Sequence, residues 1–134
     1  MRTVHAFDLE TWRLAKDVER AFAADLKGES PWARPDLFGF GCGAVVDLGT
    51  GVAYRYREGC AKAMVGHLEE ADITVGYNTA AFDLGVLSAC ADVEAIRERH
   101  VDLNALGRDA LDALPREEQR ARAAQALRPA PPSA

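Results

Sequence analysis

The chain has 134 residues, of which 49% are hydrophobic and 28% charged, and its formal net charge at pH 7 is −5. The length favours a single domain, and the composition is that of an ordinary globular protein. The negative charge argues against a broad basic surface that binds nucleic acid by neutralising phosphates, although it leaves room for a narrow site in which metal ions supply the positive charge.

Cysteine usage and hydropathy predict the cellular setting. The three cysteines, Cys42, Cys60 and Cys90, form no CxxC pair, and no zinc-ligand spacing is present. We expect them to be reduced, buried, apolar side chains in a cytoplasmic protein. No run of the sequence is long and apolar enough to span a membrane, so we expect no membrane partner.

In the first half of the chain the pattern predicts a buried strand followed by a hairpin. The near-continuous apolar run of residues 3–7 is typical of a central strand that is covered on both faces. Residues 11–36 carry charges at helical intervals and then glycine and prolines, which predicts a short helix and an irregular loop. Residues 38–46 and 52–56 are predicted to form the hairpin, joined by a glycine-rich turn.

In the second half helices and strands alternate. Residues 60–72 have the pattern of an amphipathic helix, residues 73–77 that of a short buried strand, and residues 79–99 that of a long helix. Residues 100–106 predict a last short strand that runs into a helix. This order of elements predicts an α/β fold with a mixed sheet flanked by helices.

The character of the chain changes after Pro115. The last segment is charged and alanine-rich and then rich in proline, which predicts a surface helix and a frayed tail. We therefore expect one domain over residues 1–114 and a tail over residues 115–134.

Two carboxylates, Asp8 and Glu10, stand one residue apart at the end of the first predicted strand. Since successive side chains of a strand point to opposite faces, both should lie on one face and Leu9 on the other. Two carboxylates on one face repel each other, and each loses solvation when it is partly buried. A hard divalent cation such as Mg²⁺, which binds one or two carboxylates and keeps several waters, gives such a pair a purpose.

Asp83 is a third candidate carboxylate. It lies in the first two turns of the predicted helix 79–99, next to Phe82. From this position its side chain could face the site or face solvent, where an acid near a helix N-terminus complements the helix dipole. The residues alone leave both readings open.

Two short motifs taken together resemble a known family. The stretch "FDLET" at residues 7–11 and the stretch "VGYNTAAFD" at residues 75–83 resemble the first two motifs of the DEDD 3′–5′ exonucleases, which have the ribonuclease H-like fold. The likeness is greatest to the predicted exonuclease domains that carry "FDIET" and "VGFNxxxFD" and often accompany bacterial helicases. It covers about residues 3–107, and either motif alone would be a weak signal.

The resemblance implies a two-metal phosphodiesterase acting on the 3′ end of single-stranded DNA or RNA. Asp8 would hold both Mg²⁺ or Mn²⁺ ions, Glu10 would bind one ion near the attacking water, and Asp83 would hold the second ion. The same resemblance implies a nucleotide pocket lined by Thr11, Asn78 and Phe82. It also implies a helicase as a partner.

The chain departs from this family in its third motif, which supplies a fourth acid after a histidine or tyrosine. The candidates for that acid are Asp102, Asp109 and Asp112, and none follows a histidine or tyrosine at the family's spacing of a few residues and in the family's position. His100 is predicted to be a polar residue at a strand end rather than a general base. The sequence is thus predicted to be a C-terminally truncated domain, a compact relative with an improvised fourth acid, or a degenerate module that binds nucleic acid or protein without cutting.

Two further expectations concern surfaces. A missing late helix would expose part of the sheet, which predicts a homodimer or docking to a helicase. Four arginines, Arg13, Arg34, Arg55 and Arg57, could contact phosphates, but we expect them to be scattered solvated charges.

Overall fold

The computed structural model describes residues 2–126 of the chain. These residues divide after Leu103 into two compact units, which we describe separately. The division falls earlier in the chain than the boundary predicted after residue 114.

The first unit is built on one five-stranded mixed sheet. Its strands are β1 (Val4–Thr11), β2 (Phe40–Asp47), β3 (Ala53–Tyr56), β4 (Ile73–Gly76) and β5 (His100–Asp102). They lie in the order β3-β2-β1-β4-β5, with the first three antiparallel and with β4 and β5 parallel to β1. The predicted α/β fold with a mixed sheet flanked by helices is confirmed.

Short helices connect these strands. Their bounds are Ala15–Ala21 (α1), Ala23–Leu26 (α2), Ala61–Glu69 (α3), Leu84–Ser88 (α4) and Glu94–Arg97 (α5), with 3₁₀ turns at Pro31–Ala33 and Pro35–Leu37 and a π-helical segment at Thr79–Asp83. The single helix predicted over residues 79–99 is therefore wrong, because the chain forms three helical pieces there. The last break has a local cause, since the Asp92 side chain accepts a 2.9 Å hydrogen bond from the Glu94 amide and so starts α5 anew.

The core lies on one face of the sheet. In β1 the side chains of His5, Phe7 and Leu9 are buried and alternate with more exposed neighbours, as the period of a strand requires. The helix α3 packs on this face and comes so close to β2 that a Cβ built on Gly43 would lie 2.5 Å from Met64 Sδ. Met64 is fully buried, and a buried side chain of this size contributes roughly 1.5–3 kcal/mol.

The prediction that the cysteines are buried is also wrong. Cys42 and Cys60 are exposed rather than buried, and Cys90 is partly buried. Cys42 lies on the face of β2 that α3 does not cover, since it alternates with the tightly packed Gly43. No described helix in residues 2–126 is long and apolar enough to cross a membrane.

The second unit contains two helices in its described part. They are α6, Leu103–Asp112, which begins at the end of the first unit, and α7, Arg116–Ala126. Gln119 of α7 donates a 2.8 Å hydrogen bond from Nε2 to the Leu114 carbonyl, which fixes the turn between the helices. The helix predicted after Pro115 coincides with α7, and the predicted proline-rich tail lies outside the described residues.

Candidate functional site

The central strand carries the first two candidate acids. β1 extends four residues beyond the predicted strand end at residue 7, so that Asp8 and Glu10 belong to it. Both side chains are exposed on the face opposite the buried Leu9. Pairing of β1 with β4 ends at Ala6, which leaves the β4 side of β1 open beside the two acids.

The third acid fills this open side. The π-helical segment that follows β4 contacts both β1 and β5, and Asp83 is its last residue. The Asp83 side chain is 6% exposed. Its pKa is raised from 3.8 to about 7 by burial first and then by the charges of Asp8 and Glu10, while the Leu9 amide acts in the opposite direction. The structure therefore brings the three predicted carboxylates together.

One oxygen of this cluster has an unmet hydrogen-bonding requirement. Asp83 Oδ2 is buried and has no hydrogen-bond partner among the described residues. A buried carboxyl oxygen without a partner is costly, and a bound ion or water is one of the features that account for such an atom in native structures. Oxygen donors of this kind are those that Mg²⁺ and Mn²⁺ prefer, so the donor set fits the ions that the resemblance implies.

The side chains are not arranged around an ion as they stand. Within residues 2–126 no group of three His, Cys, Asp or Glu side chains is placed to hold a metal ion. Since Asp8 and Glu10 are exposed at the strand end, they have room to rotate, whereas Asp83 is held by its surroundings. Metal binding at this place therefore means that the two strand carboxylates turn toward Asp83.

Close packing fixes the segment that carries Asp83. A Cβ built on Gly76 at the end of β4 would lie 2.3 Å from the Thr79 side chain, so only glycine permits this approach. Asn78 between them adopts a left-handed conformation with φ 56°, which asparagine tolerates better than most residues. The chain thus turns sharply from the strand into the π-helical segment.

A carboxylate on the neighbouring strand holds the same turn. Both oxygens of Asp102 accept backbone hydrogen bonds, from the Asn78 amide at 2.9 Å and from the Ala80 amide at 3.0 Å. Asp102 is a helix cap in this structure, which is a different role from that of the fourth acid for which it was a candidate. The other candidates, Asp109 and Asp112, lie on α6 in the second unit.

His100 holds the same turn through hydrogen bonds of its imidazole ring. Its Nδ1 lies 2.8 Å from the Thr74 hydroxyl and its Nε2 lies 2.6 Å from the Thr79 hydroxyl. Burial lowers the pKa of His100, so the imidazole is neutral near pH 7 and both of its nitrogens are engaged. This agrees with the prediction of a structural residue at a strand end.

The three predicted pocket residues have different surroundings. Thr11 donates its hydroxyl to the Arg13 carbonyl at 2.8 Å and so shapes the end of β1. Phe82 is half-buried and forms an aromatic cluster with Phe38 and with Trp32, whose side chain is 61% exposed. Asn78, described above, is exposed at the turn.

Two of the four arginines considered for phosphate contacts lie beside the acids. Arg55 and Arg57 line the same cavity as Asp8 and Glu10. The signal that could have found them is the alternation of β3, but this signal points to the acids only when the register of two strand pairs is known.

Comparison with known proteins leaves the family of the chain open. No protein-family model matches it, and no curated protein gives a significant match. What is shown is an α/β fold on a five-stranded mixed sheet, with three carboxyl groups gathered at the end of its central strand.

Proposed function

We propose that the chain is a metal-dependent 3′–5′ exonuclease-like domain of ribonuclease H-like fold that hydrolyses phosphodiester bonds of DNA or RNA. The observation that carries the proposal is the meeting of Asp8, Glu10 and Asp83, in which the pKa of the buried Asp83 rises to about 7. Perturbed carboxyl groups of this kind gather at functional sites. The central position of β1 in the mixed sheet supports the same proposal.

The proposed cofactor is a pair of Mg²⁺ or Mn²⁺ ions held by Asp8, Glu10 and Asp83. Such ions, when bound, activate water and offset the charge of the leaving 3′ oxygen. Asp83 would contribute an oxygen from a buried side chain on a closely packed segment, and Asp8 and Glu10 would contribute oxygens from exposed side chains. At pH values above about 7 Asp83 is ionised and offers its full charge to the site.

The first experiment measures cleavage. A 5′-labelled single strand is incubated with the full chain and with Mg²⁺ or Mn²⁺, and a strand with a blocked 3′ end is the substrate control. We expect a ladder that shortens from the 3′ end, and a loss of roughly a hundredfold or more in rate for Asp8→Asn and Asp83→Asn. The matched control is Glu98→Gln, an exposed acid that precedes β5 and so lies at the opposite end of the parallel strands.

The second experiment measures metal binding without catalysis. Isothermal titration of the wild type with Mn²⁺ near pH 8 should give binding that Asp83→Asn weakens and Glu98→Gln leaves unchanged. Absence of binding by the wild type, together with absence of cleavage with either metal, would refute the proposal.

The capping role of Asp102 favours a second candidate function. Since this acid is committed to backbone amides, the first unit offers three acids to the site where the DEDD family has four. The second candidate is a catalytically degenerate module that binds nucleic acid or protein. For such a module we expect nucleic-acid or protein binding that persists in a chelator and in Asp8→Asn. For an exonuclease we expect cleavage that is lost both in a chelator and in Asp8→Asn.

The proposed setting is the cytoplasm, with a helicase or a second copy of the chain as partner. Both partners follow from the resemblance and from the expected exposed sheet. Size-exclusion chromatography of the full chain tests the second copy directly, because a monomeric elution at micromolar concentration contradicts a homodimer.

A further inference from the structure

Asp8 and Glu10 line a cavity on the sheet face that α3 does not cover. Its volume is about 610 Å³, and it extends from β1 across β2 to the end of β3. Its floor on β2 is made of three small residues, Cys42, Gly43 and Ala44. Because these side chains are small, they do not block the cavity between the acids on β1 and the arginines at β3.

The register of the strands places Arg55 in line with Asp8. Asp8 pairs with Ala44, and Ala44 pairs with Arg55. Paired residues of antiparallel strands point to the same face, so Arg55 lies on the face of Asp8, about 10 Å away across two strand spacings. Arg57 follows two residues later, just beyond the end of β3, and lines the same cavity.

Among the described residues, neither guanidinium group has a carboxylate partner. Within residues 2–126 the arginines that form ion pairs below 4.0 Å are Arg34, Arg97 and Arg122. Arg55 and Arg57 make none, although both are exposed in a cavity that also contains acids. A guanidinium group offers a planar fork of donors that matches the oxygens of a phosphate group.

We propose that Arg55 and Arg57 bind backbone phosphates of a single-stranded nucleic acid whose 3′ end lies at Asp8 and Glu10. This inference rests on the proposed function and adds the path of the substrate, which crosses β2 from β1 toward β3. It gives a chain with net charge −5 two guanidinium groups with which to hold a polyanion, in the same cavity as the two acids. Roles as mere solvated charges, or as counter-charges to the two acids, are the alternatives that the experiment must separate.

The experiment measures binding of a fluorescent phosphorothioate oligothymidine, which resists hydrolysis, by anisotropy in Mg²⁺ over a series of salt concentrations. In Arg55→Ala/Arg57→Ala we expect the Kd to rise on the order of tenfold for each arginine. The slope of log K against log salt should fall by about 1.4, because about 0.7 is lost for each phosphate contact on a single strand. The matched control is Arg2→Ala/Arg20→Ala, which removes two exposed charges outside the cavity.

A thiol footprint gives a second reading that does not depend on activity. Cys42 lies in the cavity floor, and Cys60, which is also exposed, lies outside it and serves as an internal control. Saturating oligothymidine should slow alkylation of Cys42 and not of Cys60, and the double arginine variant should lose this protection at the same oligonucleotide concentration.

The outcomes separate this inference from the proposed function. An unchanged Kd and salt slope in the arginine variant, or unprotected Cys42 in the saturated wild type, overturns the substrate path even where the wild type cleaves DNA. Arginine-dependent binding with Cys42 protection supports the path, and if the wild type then fails to cleave with either metal, hydrolysis alone is refuted. A wild type that does not bind the oligonucleotide overturns the path as well.

Discussion

The substitution Asp83→Asn should make the metal-free protein more stable at alkaline pH. In the wild type, burial and the charges of Asp8 and Glu10 oppose ionisation of Asp83. Asparagine has nearly the same shape and no charge, and its side-chain oxygen can still face the Leu9 amide while its NH₂ group faces Asp8. The substitution therefore removes the repulsion and keeps the packing.

The size of the effect follows from the pKa. A rise from 3.8 to about 7 corresponds to about 4 kcal/mol at 1.36 kcal/mol per pKa unit. Because the folded state holds the proton more tightly than the unfolded state, this contribution to stability is fully present below about pH 4 and is lost as the pH rises through 7. The loss amounts to about 1.36 kcal/mol per pH unit between pH 3.8 and about 7, so the variant should exceed the wild type by about 2 kcal/mol at pH 5 and by about 4 kcal/mol at pH 8.

Urea unfolding in EDTA at pH 5, 6, 7 and 8 measures this difference. Burial lowers the pKa values of His67 and His100. Their contribution to the free energy of unfolding therefore increases as the pH rises toward 6.5, opposite in sign to that of Asp83. Their contributions are common to both proteins and cancel in the difference. Parallel pH dependences of wild type and variant from pH 5 to 8 would show that Asp83 does not ionise against this repulsion.

The other predictions concern the turn that carries Asp83. Gly76→Ala should lower the free energy of unfolding in urea by about 1–3 kcal/mol, because the new Cβ would clash with the Thr79 side chain. The control is Gly66→Ala on α3, which should be neutral or stabilising because a Cβ there meets no atom within 4 Å. Asp102→Asn should lower the free energy of unfolding by about 1–2 kcal/mol, because the amide can accept only one of the two backbone hydrogen bonds. Titration should show an unchanged Mn²⁺ affinity. A loss of affinity equal to that of Asp83→Asn would instead make Asp102 a ligand. Thr79→Val should cost about 1 kcal/mol and raise the amide exchange rates of the turn, because His100 Nε2 loses its partner; unchanged exchange would refute the bracing role.

The sequence was sufficient for the parts of the fold that follow from local period and composition. The apolar run before Asp8 and the alternation of residues 52–56 predicted strands, and the structure contains them. The placement of Asp8 and Glu10 on one face followed from the period of a strand and needed no tertiary information. The approach of Asp83 to this pair came from the resemblance of two motifs, because nothing local in the sequence decides which way that side chain points.

What the sequence did not reveal depends on contacts between distant residues. Asp102 caps the π-helical segment through the amides of Ala80 and Asn78, which lie 22 and 24 positions before it in the chain. From the sequence alone, this carboxylate was a candidate metal ligand. The helix predicted over residues 79–99 failed because the π-helical segment and a new start at Asp92 interrupt it. The row from Asp8 to Arg55 depends on the register of two strand pairs, which no local pattern specifies.

The electrostatics of the site explain why several contacts are needed to hold the turn that carries Asp83. Three carboxyl groups brought together would separate if the chain were free to relax, since their repulsion acts against folding whenever Asp83 is ionised. The chain is held instead by the cap from Asp102, by the close approach of Gly76 to Thr79, and by the brace from His100. A strained arrangement persists only where its surroundings over-determine it, and such arrangements concentrate at functional sites. Among the described residues Arg55 forms no ion pair with Asp8, from whose backbone it lies about 10 Å away across two strand spacings, so the repulsion remains uncompensated, and the proposed divalent cation would relieve it.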